Sequence, residues 1–163
     1  MVYHHTVPNT SDEIWREPMS VNVDAVFYLS RAAVTRMIKQ GGGIIVNVAS
    51  TWGLVGAAQT AAYCASKGAV IQLTRAMAVD HAAANVRINV VCPGAVDTPM
   101  LIREAKAFGV EAEQGRSMWA MDAPDQKLAT AHDIAQAVCF LASDGAQHIH
   151  GTALPVDGGA IAF

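Results

Sequence analysis

The chain has 163 residues, enough for one domain with a core of its own. Apolar residues make up 52% of it and charged ones 15%, with a net charge of −3, so a nucleic-acid or anionic-membrane partner is not expected. No apolar run approaches the roughly eighteen residues a bilayer span needs, and the first residues, MVYHHTVPNTSDE, hold no apolar signal core.

Taken in order, residues 1–9 read as irregular, with Pro8 against a helix. Thr10 to Glu13 spells T-x-x-E, a capping box that predicts a helix start. Pro18 is expected to break or kink that helix. From Met19 to about Lys39, Val23, Val26, Phe27, Ala33, Val34, Met37 and Ile38 fall at helical spacing, and Gly41 to Gly43 end the run. Ile44, Ile45, Val46, Val48 and Ala49 then predict a strand, rich in β-branched residues and buried on both faces. A small-residue loop leads from Ser50 to a helix predicted over about 61–84. Asn85 is placed to end it, and VRINVVC at 86–92 reads as a second strand. Pro93-Gly94 opens a loop. Residues 99–124 read as one or two short helices in a mobile segment. Thr130 to Asp133 resembles an N-cap with an acidic first turn, opening a helix to about Ala142. Ala153 to Val156 is a short third strand.

Strands alternating with helices predict βαβ crossovers and an α/β fold with a parallel sheet in a single domain, 1–163. The first strand is apolar on both sides of its pleat. In a sheet of only three strands it is left as a bare edge, which marks a place where something else belongs.

The chemistry gathers between Gly43 and Lys67, GIIVNVASTWGLVGAAQTAAYCASK. Tyr63 and Lys67, at i and i+4, share one helix face. A phenol beside a fixed ammonium is expected to ionise more easily, and such a phenol can pass a proton to or from a substrate oxygen. Ser50, if its loop folds back, can hydrogen-bond that same oxygen. Trp52 either lines the pocket or packs under the loop, and Met118 and Trp119 are equally readable as core or as substrate contacts. The three cysteines, Cys64, Cys92 and Cys139, have no metal-ligand spacing and read as reduced thiols of a cytoplasmic protein. His148 and His150 alternate as ligands on a strand would, but without a third ligand no metal site is expected; His4-His5 is too short to carry meaning.

These motifs together resemble the C-terminal two-thirds of the short-chain dehydrogenase/reductase family. The matches are Asn22 in MSVNVDAVF, Ser50 in IIVNVAS, Tyr63-x-x-x-Lys67, RINVVCPGAVDTPM at 87–100 and LPVDGG at 154–159. The resemblance runs from about Ser11 to Gly159. It implies the last three strands of a Rossmann-like, doubly wound parallel sheet, without the N-terminal βαβ half. It implies an NAD(P)-dependent oxidoreductase interconverting a small secondary alcohol and a ketone. In that family Tyr63 would be the general acid/base. Lys67 would lower its pKa and hold the nicotinamide ribose, and Ser50 would hold the substrate oxygen. Asn22 would hold a water of the proton relay behind Lys67. Pro93, Gly94, Val96 and Thr98 would hold the nicotinamide carboxamide; Thr98 can also cap the next helix. Helices 19–39 and 61–84 would be faces of a homodimer or homotetramer, and 99–124 a substrate lid.

The family's glycine-rich strand-to-helix turn for the pyrophosphate is not found in this sequence. Nor is a residue that would choose NAD or NADP. Gly41 to Gly43 follow a helix, and Gly158-Gly159 precede none. Two further expectations follow: a truncated, inactive fragment acting at most as an oligomerisation module, or a second chain supplying the other half.

Overall fold

The computed structural model describes residues 2–162. Ser11 caps the first helix, α1 (Asp12–Pro18), its hydroxyl accepting from Ile14 N–H at 3.3 Å. The expected cap, Thr10, instead donates to the Thr6 carbonyl. Pro18 breaks the regular α-helix, as expected. It is the last residue of α1, and the chain runs on through a wide turn, Met19–Asp24, into α2 (Ala25–Gln40). Ala25 N–H reaches the Ser20 carbonyl five residues back, the spacing of a π turn. Such widened turns recur at functional sites, and this one carries Asn22. Gly42 N–H bonds the Met37 carbonyl and closes α2.

Strand β1 (Gly43–Val48) is followed by α3 (Ala61–His81), a short tightened turn at 82–84 and β2 (Val86–Pro93). Asn85 sits in the left-handed region at φ 59°, which Asn tolerates, and turns the chain into β2. Two short helices, α4 (Pro99–Ala107) and α5 (Ala112–Ala120), occupy the segment expected as a lid. Helix α6 (Ala131–Ala142) starts on a full capping box between Thr130 and Asp133 and leads to β3 (Ala153–Val156).

Among the described residues the strands form one parallel sheet in the order β1-β2-β3, with Ile45 opposite Ile88 and Val91 opposite Leu154. Alternation along β2 sorts its faces. Val86, Ile88, Val90 and Cys92 pack against residues of α2 and α3. Arg87 turns the other way, its guanidinium donating to carbonyls at the end of α6. Helices therefore cover both faces, as the α/β expectation required. The buried Asn89 is satisfied at both ends of its amide: it donates to the Ile149 carbonyl and accepts from Thr152 N–H, pinning the chain entering β3.

Strand β1 departs from the expectation of burial on both faces. It has one hydrogen-bonded neighbour, and Ile44 and Val48 are 38% and 48% exposed. Its other edge and part of the face toward α6 are open.

Candidate functional site

All three strands run parallel, so their C-terminal ends lie on one side. There the loops after Val48, Pro93 and Val156 converge, the usual ligand position of an open α/β sheet. A cavity of about 680 Å³ opens at this edge. Asn22, Ser50, Tyr63, Lys67, Pro93, Gly94, Val96 and Thr98 all line it. The eight residues singled out in the sequence come from the π turn, the end of β1, the start of α3 and the loop after β2. The fold brings every one of them to a single wall.

Two glycines allow this convergence. A Cβ on Gly53 would stand 2.7 Å from the Lys67 carbonyl carbon and 2.9 Å from Gly68 N. Only a hydrogen fits, so the loop after Ser50 lies flat against the turn of α3 that carries Tyr63 and Lys67. A Cβ on Gly94 would stand 2.8 Å from Asp157 Cβ, so the loops after β2 and β3 touch there.

Ser50 is buried at the end of β1 and lines the cavity with Tyr63, whose phenol its hydroxyl pulls toward a lower pKa. Its hydroxyl also accepts from Trp52 N–H at 3.2 Å, which folds the loop back. Trp52 meets Tyr63 edge to face, with centroids 6.0 Å apart, and lines the cavity as well; both of its expected roles are filled. Lys67 Nζ donates to the Val48 carbonyl at 3.3 Å and stands 5.7 Å from the Tyr63 ring centroid. That single bond leaves two of its three donors for the cavity.

The electrostatics correct one expectation. Tyr63 is 7% exposed, and its phenol lies above its ordinary value, not below. Burial is the main cause. The Ser50 hydroxyl pulls the value down, and the Glu104 carboxylate pushes it up again. Lys67 is itself held below its usual value by burial. Its Nζ stands 5.7 Å from the ring centroid, and it is not among the groups that lower the phenol, so it does not offset desolvation.

Asn22 donates from Nδ2 to Ser66 Oγ at 3.0 Å, and Ser66 donates to the Tyr63 carbonyl at 2.8 Å. The π turn is thereby tied to the first turn of α3. Ser66 is fully buried and was not read from the sequence. Its only signal was its place at i+3 from Tyr63, inside the helix turn. Thr98 stands at the N-cap position before Pro99, but its hydroxyl donates to the Val96 carbonyl and caps no helix N–H.

The far wall comes from α4 and α5 and includes Leu101, Glu104 and Trp119; Met118 is half exposed and lines nothing there. His4 Nε2 lies 2.9 Å from Glu104 Oε1, and the imidazole stacks on Phe108 at 4.4 Å. Both residues were missed, because nothing in the sequence links positions a hundred apart. His150 joins β2 to α3: its ring accepts from Ile88 N–H and faces the Ala78 carbonyl at 2.6 Å.

The fit to a nicotinamide dinucleotide divides in two. Unused Lys67 donors and the polar backbone of residues 93–96 suit a ribose and a carboxamide. Nothing in the sequence offers a glycine-rich turn at a helix N-terminus for the diphosphate. No helix among the described residues is long and apolar enough to cross a membrane.

Comparison with known proteins agrees with the family pattern. The family model described as enoyl-(acyl carrier protein) reductase matches residues 3–160. The 2-(R)-hydroxypropyl-CoM dehydrogenase of Xanthobacter autotrophicus is 40% identical over 154 residues, 94% of this chain and 58% of that protein. The cyclopentanol dehydrogenase of a Comamonas species is 44% identical over 159 residues, again 94% of this chain and 59% of that protein. The structure of 4-hydroxyisoleucine dehydrogenase complexed with NADH superposes with a TM-score of 0.83 at 31% identity, over all of this chain and 66% of that one. The chain thus spans somewhat under two thirds of the curated relatives it matches. With this fold and these matches, the chain belongs to the short-chain dehydrogenase/reductase family of oxidoreductases.

Proposed function

We propose that the chain carries the proton-transfer half of an NAD(P)-dependent oxidoreductase site that interconverts a small secondary alcohol and a ketone. The observation that carries this reading is that Ser50, Tyr63 and Lys67 line one cavity at the C-terminal ends of the strands, with Lys67 on the same helix face as Tyr63. The dinucleotide, when bound, supplies the hydride acceptor or donor. The remaining work falls to the chain's own residues. Ser50 and Tyr63 hold the substrate oxygen between them. In the reducing direction the neutral phenol gives its proton to the carbonyl oxygen; in the oxidising direction the phenolate takes the hydroxyl proton. Lys67 orients the ring and offers its free donors to a ribose. Asn22, anchored on Ser66, keeps the π turn beside Lys67, and its Oδ1 takes no hydrogen bond from the described residues, leaving it open to a relay water. Pro93, Gly94, Val96 and Thr98 border the carboxamide position. The exposed Tyr28, Leu29 and Val79 on α2 and α3 suit the pairing of copies through those helices.

A second reading is favoured by β1. Its open edge and half-exposed Val48 suit a further parallel strand from outside these residues. On that reading the chain alone binds dinucleotide poorly, because no diphosphate clamp lies within it. NADH and NADPH fluorescence titration separates the two. Micromolar binding supports a site sufficient in itself; binding only after a complementary half is added supports the second. An assay over cyclic and acyclic secondary alcohols, with Tyr63→Phe as control, tests the chemistry. Equal rates in the two proteins reject it.

A further inference from the structure

The wall facing Tyr63 holds a group that this proton chemistry does not use. Glu104 projects from α4 into the cavity, with its side chain 13% exposed. The same wall carries the apolar Met100, Leu101 and Trp119, with Asp122 and Lys127 also lining the cavity. A carboxylate so placed is costly unless its oxygens are satisfied. His4 satisfies Oε1, and His4 is itself fixed by Phe108 and by the His5 N–H bond to the Gln59 carbonyl. Oε2 takes no hydrogen bond from the described residues. The carboxylate is therefore held rigidly on one side and unfilled on the other. It is close enough to Tyr63 for its charge to act on the phenol.

A molecule whose reacting oxygen lies on Ser50 and Tyr63 can present a second group to Glu104. Burial raises the Glu104 carboxyl above its ordinary value, and the neighbouring His4 draws it back down; to the carboxylate form the second group must be a hydrogen-bond donor, because a carboxylate only accepts. A neutral donor suffices, since the Lys67 side chain already brings an amine to the cavity.

We infer that Glu104 is a specificity-determining residue: its open carboxylate oxygen accepts the second hydroxyl of a diol or polyol whose first hydroxyl sits on Ser50 and Tyr63. This rests on the oxidoreductase reading above for where the first hydroxyl lies.

Trp52 and Trp119 both line the cavity and report its occupancy by fluorescence. Titration of the full chain with 2,3-butanediol, 2-butanol and 3-amino-2-butanol is the test. The diol is expected to bind about tenfold more tightly than 2-butanol, the worth of one hydrogen bond to a charged acceptor. Glu104→Leu should erase that ratio. Glu104→Gln keeps the size and a neutral acceptor, so it should leave about a threefold preference, and it decides the matter if the leucine variant does not fold. Equal affinity for diol and 2-butanol, no detectable binding of either, tightest binding of the amino alcohol, or a diol preference that survives both substitutions overturns the inference. The two levels separate cleanly. Diol preference without Tyr63-dependent hydride transfer removes the oxidoreductase reading and leaves the Glu104 subsite standing; hydride transfer without diol preference does the reverse.

Discussion

Lys67 Nζ stands 5.7 Å from the centroid of the Tyr63 ring and is hydrogen-bonded to the Val48 carbonyl, not to the phenol oxygen. Both side chains line the same cavity. Burial dominates the phenol's proton affinity, and the Ser50 hydroxyl is the group that offsets it.

The first prediction concerns pH. Because burial raises the Tyr63 phenol above its ordinary value, it is fully protonated at neutral pH. Ketone reduction should be flat through neutrality and fall only once the phenol ionises in the alkaline range. Alcohol oxidation should climb with pH over that same range. Removing the Ser50 hydroxyl, which lowers the value, should shift both limbs to higher pH in Ser50→Ala. The 295 nm phenolate absorbance of wild type minus Tyr63→Phe reads the titration directly. A phenolate that forms below its ordinary pKa of about 10 contradicts the account. The same shift has a stability sign: folding stability drawn from the neutral buried phenol is complete below the unfolded value and is lost as pH rises through the folded one.

Gly53 is the packing point that sets Ser50 against α3. Gly53→Ala places a Cβ 2.7 Å from backbone carbon, a contact no rotamer change relieves. Overpacking of this kind costs about 1–3 kcal/mol. The denaturation midpoint should fall, and the phenol should titrate higher, as in Ser50→Ala. Unchanged stability and titration would show that the loop is not held this way.

Asn89 should be among the most sensitive polar positions. Its fully buried amide serves both the Ile149 carbonyl and Thr152 N–H. Asn89→Leu orphans both, at about 1–3 kcal/mol for each buried group left unpaired. Urea unfolding should show the loss, and hydrogen exchange should show β3 opening first. A variant as stable as the parent contradicts this.

The thiols should divide by burial. Cys92 is fully buried, and desolvation pushes it up to about 11, so it is protonated and shielded at pH 8. Cys64 is partly covered and lies 3.2 Å from the Thr60 hydroxyl, while Cys139 is exposed on α6. A thiol reagent at pH 8 should label one cysteine fast, and Cys139→Ser should remove that phase. Rapid labelling of Cys92 in the folded protein would contradict the packing.

The sequence made some of this architecture plain and hid the rest for physical reasons. Alternating strands and helices, and the capping box at Thr130, were legible because periodicity and caps are local. The wall of eight site residues was legible because each lies in a motif at a strand end or helix start, where a parallel sheet must deliver it. Pro18 was legible as the break in the α-helix, which ends on it, but not the π turn that carries the chain on into α2. Thr10 misled because Ser11, one residue on, took the cap. The acidic phenol failed for a different reason: i, i+4 spacing places two side chains on one face but says nothing about how deeply they are buried. His4, Ser66 and Glu104 were invisible because their partners are tertiary.

The most direct measurement is the rate of NAD(P)H formation from a secondary alcohol by wild type and Tyr63→Phe, at equal dinucleotide occupancy. A proton-transferring phenol predicts a loss of about 10²–10⁴-fold in the variant, with folding and dinucleotide affinity retained. Rates within a factor of about two of each other, set against that range, would contradict the assignment of Tyr63 as the acid/base.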